Sequence, residues 1–167
     1  EKTYWKEAFK TYMKSLVLAK TEFEKARSHA ILASHYCIKD NKDSSLFYIK
    51  KAIDMAEMSE DEKTQSQIYQ NAYVICKENG ETELAWEYLN MSASINNDTS
   101  KENLYNLNFL TFYLESGRLD SASVYVNKLR SNLETIKDNL LKSSICGTLT
   151  TYYSAKEIYD SALYYQK

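Results

Sequence analysis

A small residue, usually just behind an acidic one and just ahead of an aromatic-rich run, returns five times in this chain at a nearly constant interval. The instances are Lys6-Glu7-Ala8, Asp43-Ser44-Ser45, Glu83-Leu84-Ala85, Asp120-Ser121-Ala122 and Asp160-Ser161-Ala162. Their small residues stand 37, 40, 37 and 40 positions apart. Such a period is the mark of one supersecondary unit repeated along the chain, each copy burying its apolar face against its neighbours.

A second feature precedes each of the last four small residues. Leu32-Ala33-x-x-Tyr36, Ala72-Tyr73-x-x-Cys76, Phe109-Leu110-x-x-Tyr113 and Leu149-Thr150-x-x-Tyr153 are followed by Asp40-Asn41, Asn79-Gly80, Ser116-Gly117 and Lys156-Glu157, pairs that read as turns. Proline is absent and glycine occurs three times, so helices joined by short polar turns are expected. Helical periodicity agrees. Tyr69, Ala72, Tyr73, Ile75 and Cys76 form one apolar face, and Leu46, Phe47, Ile49, Ala52, Ile53 and Met55 another. Ala33, Ala85, Ala122 and Ala162 would let helix axes approach to the ~8 Å lower end of packed separations. Most of the fifteen tyrosines read as packing residues whose hydroxyls reach the solvated edge.

Thr21-x-x-Glu24, Ser59-x-x-Glu62 and Thr99-x-x-Glu102 read as capping boxes, each opening the first helix of a repeat. Helices are expected near 2–19, 22–39, 43–57, 61–78, 82–95, 101–116, 119–136, 139–155 and 158–167, to within about 2–4 residues.

This layout resembles the tetratricopeptide repeat: a first helix ending in an L-G-x-x-Y pattern, a turn, then Ala with a large residue four later. Ile49, Leu89 and Val126 hold that large-residue slot, and Ala52 the next small slot of its repeat. The tryptophan slot departs from the family, holding His29, Tyr69, Asn106 and Cys146, and the closing proline is missing. The period also exceeds the family's standard of about 34 residues. Lengthened repeats near 40 residues look like those of kinesin light chains and of bacterial peptide-sensing regulators, and Tyr159-Asp-Ser-Ala-Leu-Tyr-Tyr165 looks like repeat domains of Bacteroidetes regulatory proteins. The resemblance implies an all-α fold, a right-handed superhelical α-solenoid of stacked antiparallel helix pairs. One domain would cover 1–167, with units near 1–20 (partial), 21–58, 59–98, 99–137 and 138–167 (partial). The chain is expected to be an excerpt of a longer polypeptide. Tyr4–Leu16, with Trp5, Phe9 and Tyr12, reads as a second helix lacking its first, and a new second helix has only begun at Ala162.

Composition narrows function. Net charge is −2 with both signs dispersed, which argues against a cationic nucleic-acid surface. No apolar run approaches the ~20 residues of a membrane span, and no signal-peptide pattern is present. The chain reads as a soluble domain of a bacterial cytoplasm or periplasm, with no membrane or nucleic-acid partner for this domain. Cys37, Cys76 and Cys146 are odd in number and far apart, which is not a disulfide framework.

Catalytic and metal signals are missing. There is no Gly-rich phosphate loop, nucleophile elbow or paired zinc spacing. His29 and His35 lie six apart and point to different helix faces. Cys76 and Cys146 fall in interior slots; Cys37 lies toward the inner face but near a helix C-terminus, where the dipole opposes a thiolate. No catalytic residue, metal site or cofactor is expected.

What the resemblance implies instead is a concave face built from first helices. Carried onto this register, it holds Arg27, Ala30, Ser34 and Cys37, then Gln67, Gln70, Val74 and Lys77. It continues with Leu104, Leu107, Thr111 and Leu114 and closes with Ser144, Gly147, Thr151 and Ser154. The family's carboxylate clamp is incomplete, since only Arg27 and Lys77 are cationic. The expected role is a non-catalytic protein- or peptide-binding scaffold, the sensing or assembly domain of a larger regulator. An amphipathic helix or apolar peptide would be anchored by Leu104, Leu107 and Leu114 and oriented by Gln67, Gln70 and Lys77. The alternatives are a structural spacer or oligomerisation domain, and a small-molecule sensor. A competing reading of the leucines is that curvature buries them against neighbouring helices.

Overall fold

A computed structural model describes residues 2–59, 61–96 and 98–166, the side chains of residues 2–5 and 8 excepted. Tyr4, Trp5 and Ala8, to which the sequence assigns packing roles, therefore lie outside the described side chains. Among the described residues the structure is all-helical: α1 (Lys2–Leu18), α2 (Glu22–Ile38), α3 (Lys42–Glu57), α4 (Glu62–Glu78), α5 (Thr82–Ile95), α6 (Glu102–Glu115), α7 (Leu119–Asn132), α8 (Asn139–Ala155) and α9 (Tyr159–Gln166). Single 3-10 turns, Thr99–Lys101 and Leu133–Thr135, precede α6 and follow α7. The chain divides into two compact units, residues 1–97 and 98–167.

Short polar side chains cap α2 (Thr21), α3 (Asn41), α4 (Asp61) and α8 (Asp138). Thr21 forms the expected capping box, accepting from Glu24 N at 3.2 Å while Thr21 N donates to Glu24 Oε2 at 3.2 Å. The other two boxes do not form. Asp61 caps α4 by accepting from Lys63 N at 3.2 Å, and Ser59 Oγ merely accepts from Asp61 N. Asp98 accepts from Ser100 N at 3.0 Å and opens the 3-10 turn, so Thr99 caps nothing. A carboxylate next to the helix start is favoured by the helix dipole as well as by the hydrogen bond, and in both places it wins.

The four first helices end alike. In each, the residue at the left-handed position turns the chain: Asp40 (φ 56°), Gly80 (77°), Gly117 (69°) and Glu157 (59°). The next amide then reaches back to the slot held by Tyr36, Cys76, Tyr113 or Tyr153, as Asn41 N→Tyr36 O (2.9 Å), Glu81 N→Cys76 O, Arg118 N→Tyr113 O and Ile158 N→Tyr153 O (each 2.8 Å). This bond satisfies a carbonyl that the helix end leaves free, and it reverses the chain into the second helix.

In the first unit α2 packs on α3 and α4 on α5, while α4 also lies against α2 and α3, and α1 against α2. The core is built on small residues: Ala26, Ala30, Ala33, Ala52, Ala56 and Ala72 pack with Ile49, Ile53, Ile68 and Ile75. Ser66 and Ser92, both buried, exchange hydroxyl-to-carbonyl bonds of 3.1 and 2.7 Å across α4 and α5, which holds those backbones close. In the second unit α6 pairs with α7 and α8 with α9, and α8 also packs on α6 and α7. Its core is larger-grained: Leu107, Leu110, Val126, Leu129, Ile145 and Leu149. The recurring small residues Ser45, Ala85, Ala122 and Ala162 are all buried, as are Ile49, Leu89 and Val126 in the large-residue slot.

Candidate functional site: the open sides of the first helices

Between α2 and α4, in the first unit, lies a shallow hollow of about 110 Å³ lined by Arg27, Ala30, Ile31, Gln67, Ile68 and Asn71. Arg27 and Gln67 are exposed at its rim, and the Arg27 guanidinium lies 5.4 Å from the centre of the Phe23 ring. Further along, Val74 is exposed while Ser34, Gln70 and Lys77 are half-buried. On α2 the open side departs from the expected register at Ala30, while Arg27, Gln67 and Val74 keep to it. Ala30 is buried, packed in the same cluster as Ile68 and Ala72, whereas Ile31 and Ile38 are open. Residues Ile31 and Asn71 were thus missed by a reading that held one fixed helical spacing.

In the second unit a wider hollow of about 340 Å³ is lined by α6 and α8. Thr111, Leu114 and Glu115 form one wall; Ser144, Gly147, Thr148 and Thr151 form the other. The threonine hydroxyls of α8 turn back onto their own helix, Thr148 Oγ1 donating to Ser144 O at 2.9 Å and Thr151 Oγ1 to Gly147 O at 3.1 Å. Their methyl groups and the bare Gly147 backbone are left as the surface.

The three leucines do not form an open apolar centre. Leu107 is 8 % exposed and belongs to the second core with Leu110, Ile145 and Leu149. Leu114 is half-buried and packs against that core, and Leu104 is half-buried. Only Leu114 of the three lines the hollow.

The remaining candidates have structural surroundings. His29 is buried, stacked on Tyr48 with ring centroids 5.9 Å apart, and burial, then Lys51, pushes its pKa down. The half-buried Cys37 thiol is pushed up by burial first, then by Glu78 and Asp40. Cys76 is buried and pushed up to about 11, mainly by burial. Cys146 is half-buried against the second core. Among the described residues no group of His, Cys, Asp and Glu is placed to hold a metal ion. No described helix is long and apolar enough to cross a membrane.

The fold and these two hollows thus define a protein of packed α-helical pairs with repeat-like architecture. Compared with known proteins, the chain matches no family model and no curated sequence.

Proposed function

We propose that the protein is a non-catalytic scaffold, a right-handed solenoid of tetratricopeptide-like helix pairs, that holds a protein or peptide segment against the open sides of its first helices. The observation that carries this reading is Gly147. It sits inside α8 with an ordinary helical φ, is exposed, and has nothing within 4 Å of where a Cβ would stand. A glycine inside a helix costs roughly 1 kcal/mol relative to alanine. Nothing in its own surroundings requires the missing side chain. An approaching partner does: a bare backbone between Thr111, Leu114 and Thr151 lets an extended or helical segment lie close.

On this reading the chain serves as the sensing or assembly domain of a larger regulatory protein and carries no chemistry of its own. Selection of binders from a displayed random-peptide library tests it. Peptides that bind the parent should lose binding to Gly147→Trp and Thr151→Arg, both exposed positions whose variants keep the helical circular dichroism. Selected peptides that bind both variants unchanged, or a selection that enriches none, would count against the groove and leave a spacer.

A further inference from the structure

The turn between α4 and α5 contains Asn79-Gly80, the one Asn-Gly pair in the chain. Asn-Gly is the dipeptide most prone to deamidation, because glycine leaves the following amide nitrogen unshielded. Here that amide is engaged and the side chain is held. Gly80 N donates to Lys77 O at 3.0 Å. Asn79 Nδ2 donates to Ile75 O at 2.7 Å and to Ser45 Oγ at 3.0 Å, and it touches Cys37 Sγ at 3.7 Å. Ser45 lies fully buried on α3 and passes its own hydrogen to Lys42 O at 2.8 Å. Asn79 is therefore a bridge from the end of the α4 helix to the pair α2–α3.

We propose that Asn79 is a covalent modification site whose deamidation is withheld by the fold and, once it occurs, loosens this joint irreversibly. The amide nitrogen of Gly80 bonds to Asn79 Cγ and gives up its proton; the Cγ–Nδ2 bond breaks and ammonia leaves. Water then opens the cyclic imide at either carbonyl, leaving an aspartyl or an isoaspartyl residue at this position. Nothing is oxidised or reduced, and water is the only co-reactant. Ring closure demands that Asn79 release Ile75 O and Ser45 Oγ and that Gly80 N release Lys77 O, so the reaction proceeds only from a locally opened turn.

The product cannot restore the bridge. A carboxylate has no hydrogen for Ile75 O, and it places negative charge at a helix C-terminus, the unfavourable end of the dipole. Glu78 stands beside it in sequence, so the new carboxylate would also meet a like charge there. The isoaspartyl form also lengthens the backbone within the turn closed by Glu81 N→Cys76 O.

The test follows the whole chain by peptide mapping, counting the one-dalton gain at Asn79 over time in buffer and in urea. Deamidation should be at least about tenfold slower in buffer than in urea, as opening limits it. Ser45→Ala should speed the reaction several-fold in buffer while leaving the urea rate unchanged. Asn79→Asp should melt at a lower temperature than the parent. Equal rates in buffer and urea, no acceleration in Ser45→Ala, or an Asn79→Asp melt coincident with the parent would each overturn the proposal. If Asn79→Asp does not fold, the loosening is already evident and the time course of the parent decides the protection.

Discussion

The ring of Tyr48 lies parallel to that of Tyr36, within 1° and with centroids 5.4 Å apart. The relationship recurs. Tyr125 stacks on Tyr113 at 5.7 Å and on Phe109 at 5.1 Å, and Tyr165 stacks on Tyr153 at 5.7 Å. Where the first helix offers Cys76 in place of tyrosine, Tyr88 stacks instead on Tyr69 at 6.1 Å. Tyr48, Tyr88, Tyr125 and Tyr165 each stand three residues after the buried small residue of their second helix. The small residue brings the two helices together, and the tyrosine closes the pair.

Replacing such a tyrosine with leucine keeps most of the apolar area and removes the stacking. Tyr48→Leu and Tyr125→Leu should each cost about 0.5–1.5 kcal/mol beyond any change in burial. Urea denaturation would read this as a lower midpoint at unchanged slope; midpoints equal to the parent's would deny the stacking a stabilising role.

Ala85 and Ala122 are buried, at 1 % and 0 % exposure. Leucine at either position has no space to occupy, and overpacking should cost about 1–3 kcal/mol. Thermal melts of Ala85→Leu and Ala122→Leu measure it. Unchanged melting would mean that these residues do not sit at close helix crossings.

The four left-handed turn positions divide into two glycines and two residues that carry a Cβ. Glu157→Gly should stabilise, because a left-handed non-glycine residue costs roughly 1–2 kcal/mol and the gain is only partly offset by glycine's freer unfolded chain. Asp40→Gly should gain less, since aspartate tolerates this region better. Gly80→Ala and Gly117→Ala have open space around the new Cβ, so their loss should be φ strain alone, about 1 kcal/mol. Chemical denaturation of the four variants would show this ordering, and a stabilised Gly117→Ala would contradict it.

His29 makes stability depend on pH. Burial lowers its pKa, so the folded state holds the neutral ring while the unfolded chain takes up a proton. The stabilising contribution is complete above the unfolded value of about 6.5 and is lost as pH falls from there through the depressed folded value. Unfolding free energy measured across this window should fall with acidification more steeply for the parent than for His29→Phe. Parallel pH profiles would show that His29 is not the group responsible.

Leu107 and Thr151 separate core from surface in the second unit. Leu107→Asp removes a buried leucine, about 1.5–3 kcal/mol, and adds an unpaired buried charge, so that unit should unfold. Thr151→Asp, at an exposed position, should leave the far-ultraviolet circular dichroism and melting nearly unchanged. A folded Leu107→Asp protein would return Leu107 to the docking residues.

The helices themselves were legible in the sequence because their signals are local. Thr21 with Glu24, Asp40-Asn41, Asn79-Gly80 and the run from Tyr69 to Cys76 act within one or two turns of chain, and the expected helices lie within a few residues of the observed ones. The caps at Asp61 and Asp98 were misassigned between competing acceptors two positions or one position apart, which pattern alone does not rank. Which side of a first helix stays open was decided by tertiary structure. Ala30, Leu107 and Gly147 occupy corresponding repeat positions, yet Ala30 packs with Ile68 and Ala72, Leu107 with Ile145 and Leu149, and Gly147 is exposed. One residue rotates a helix by ~100°, so a neighbour arriving from some forty positions away selects Ile31 over Ala30 for the surface. No local pattern encodes where that neighbour comes to rest.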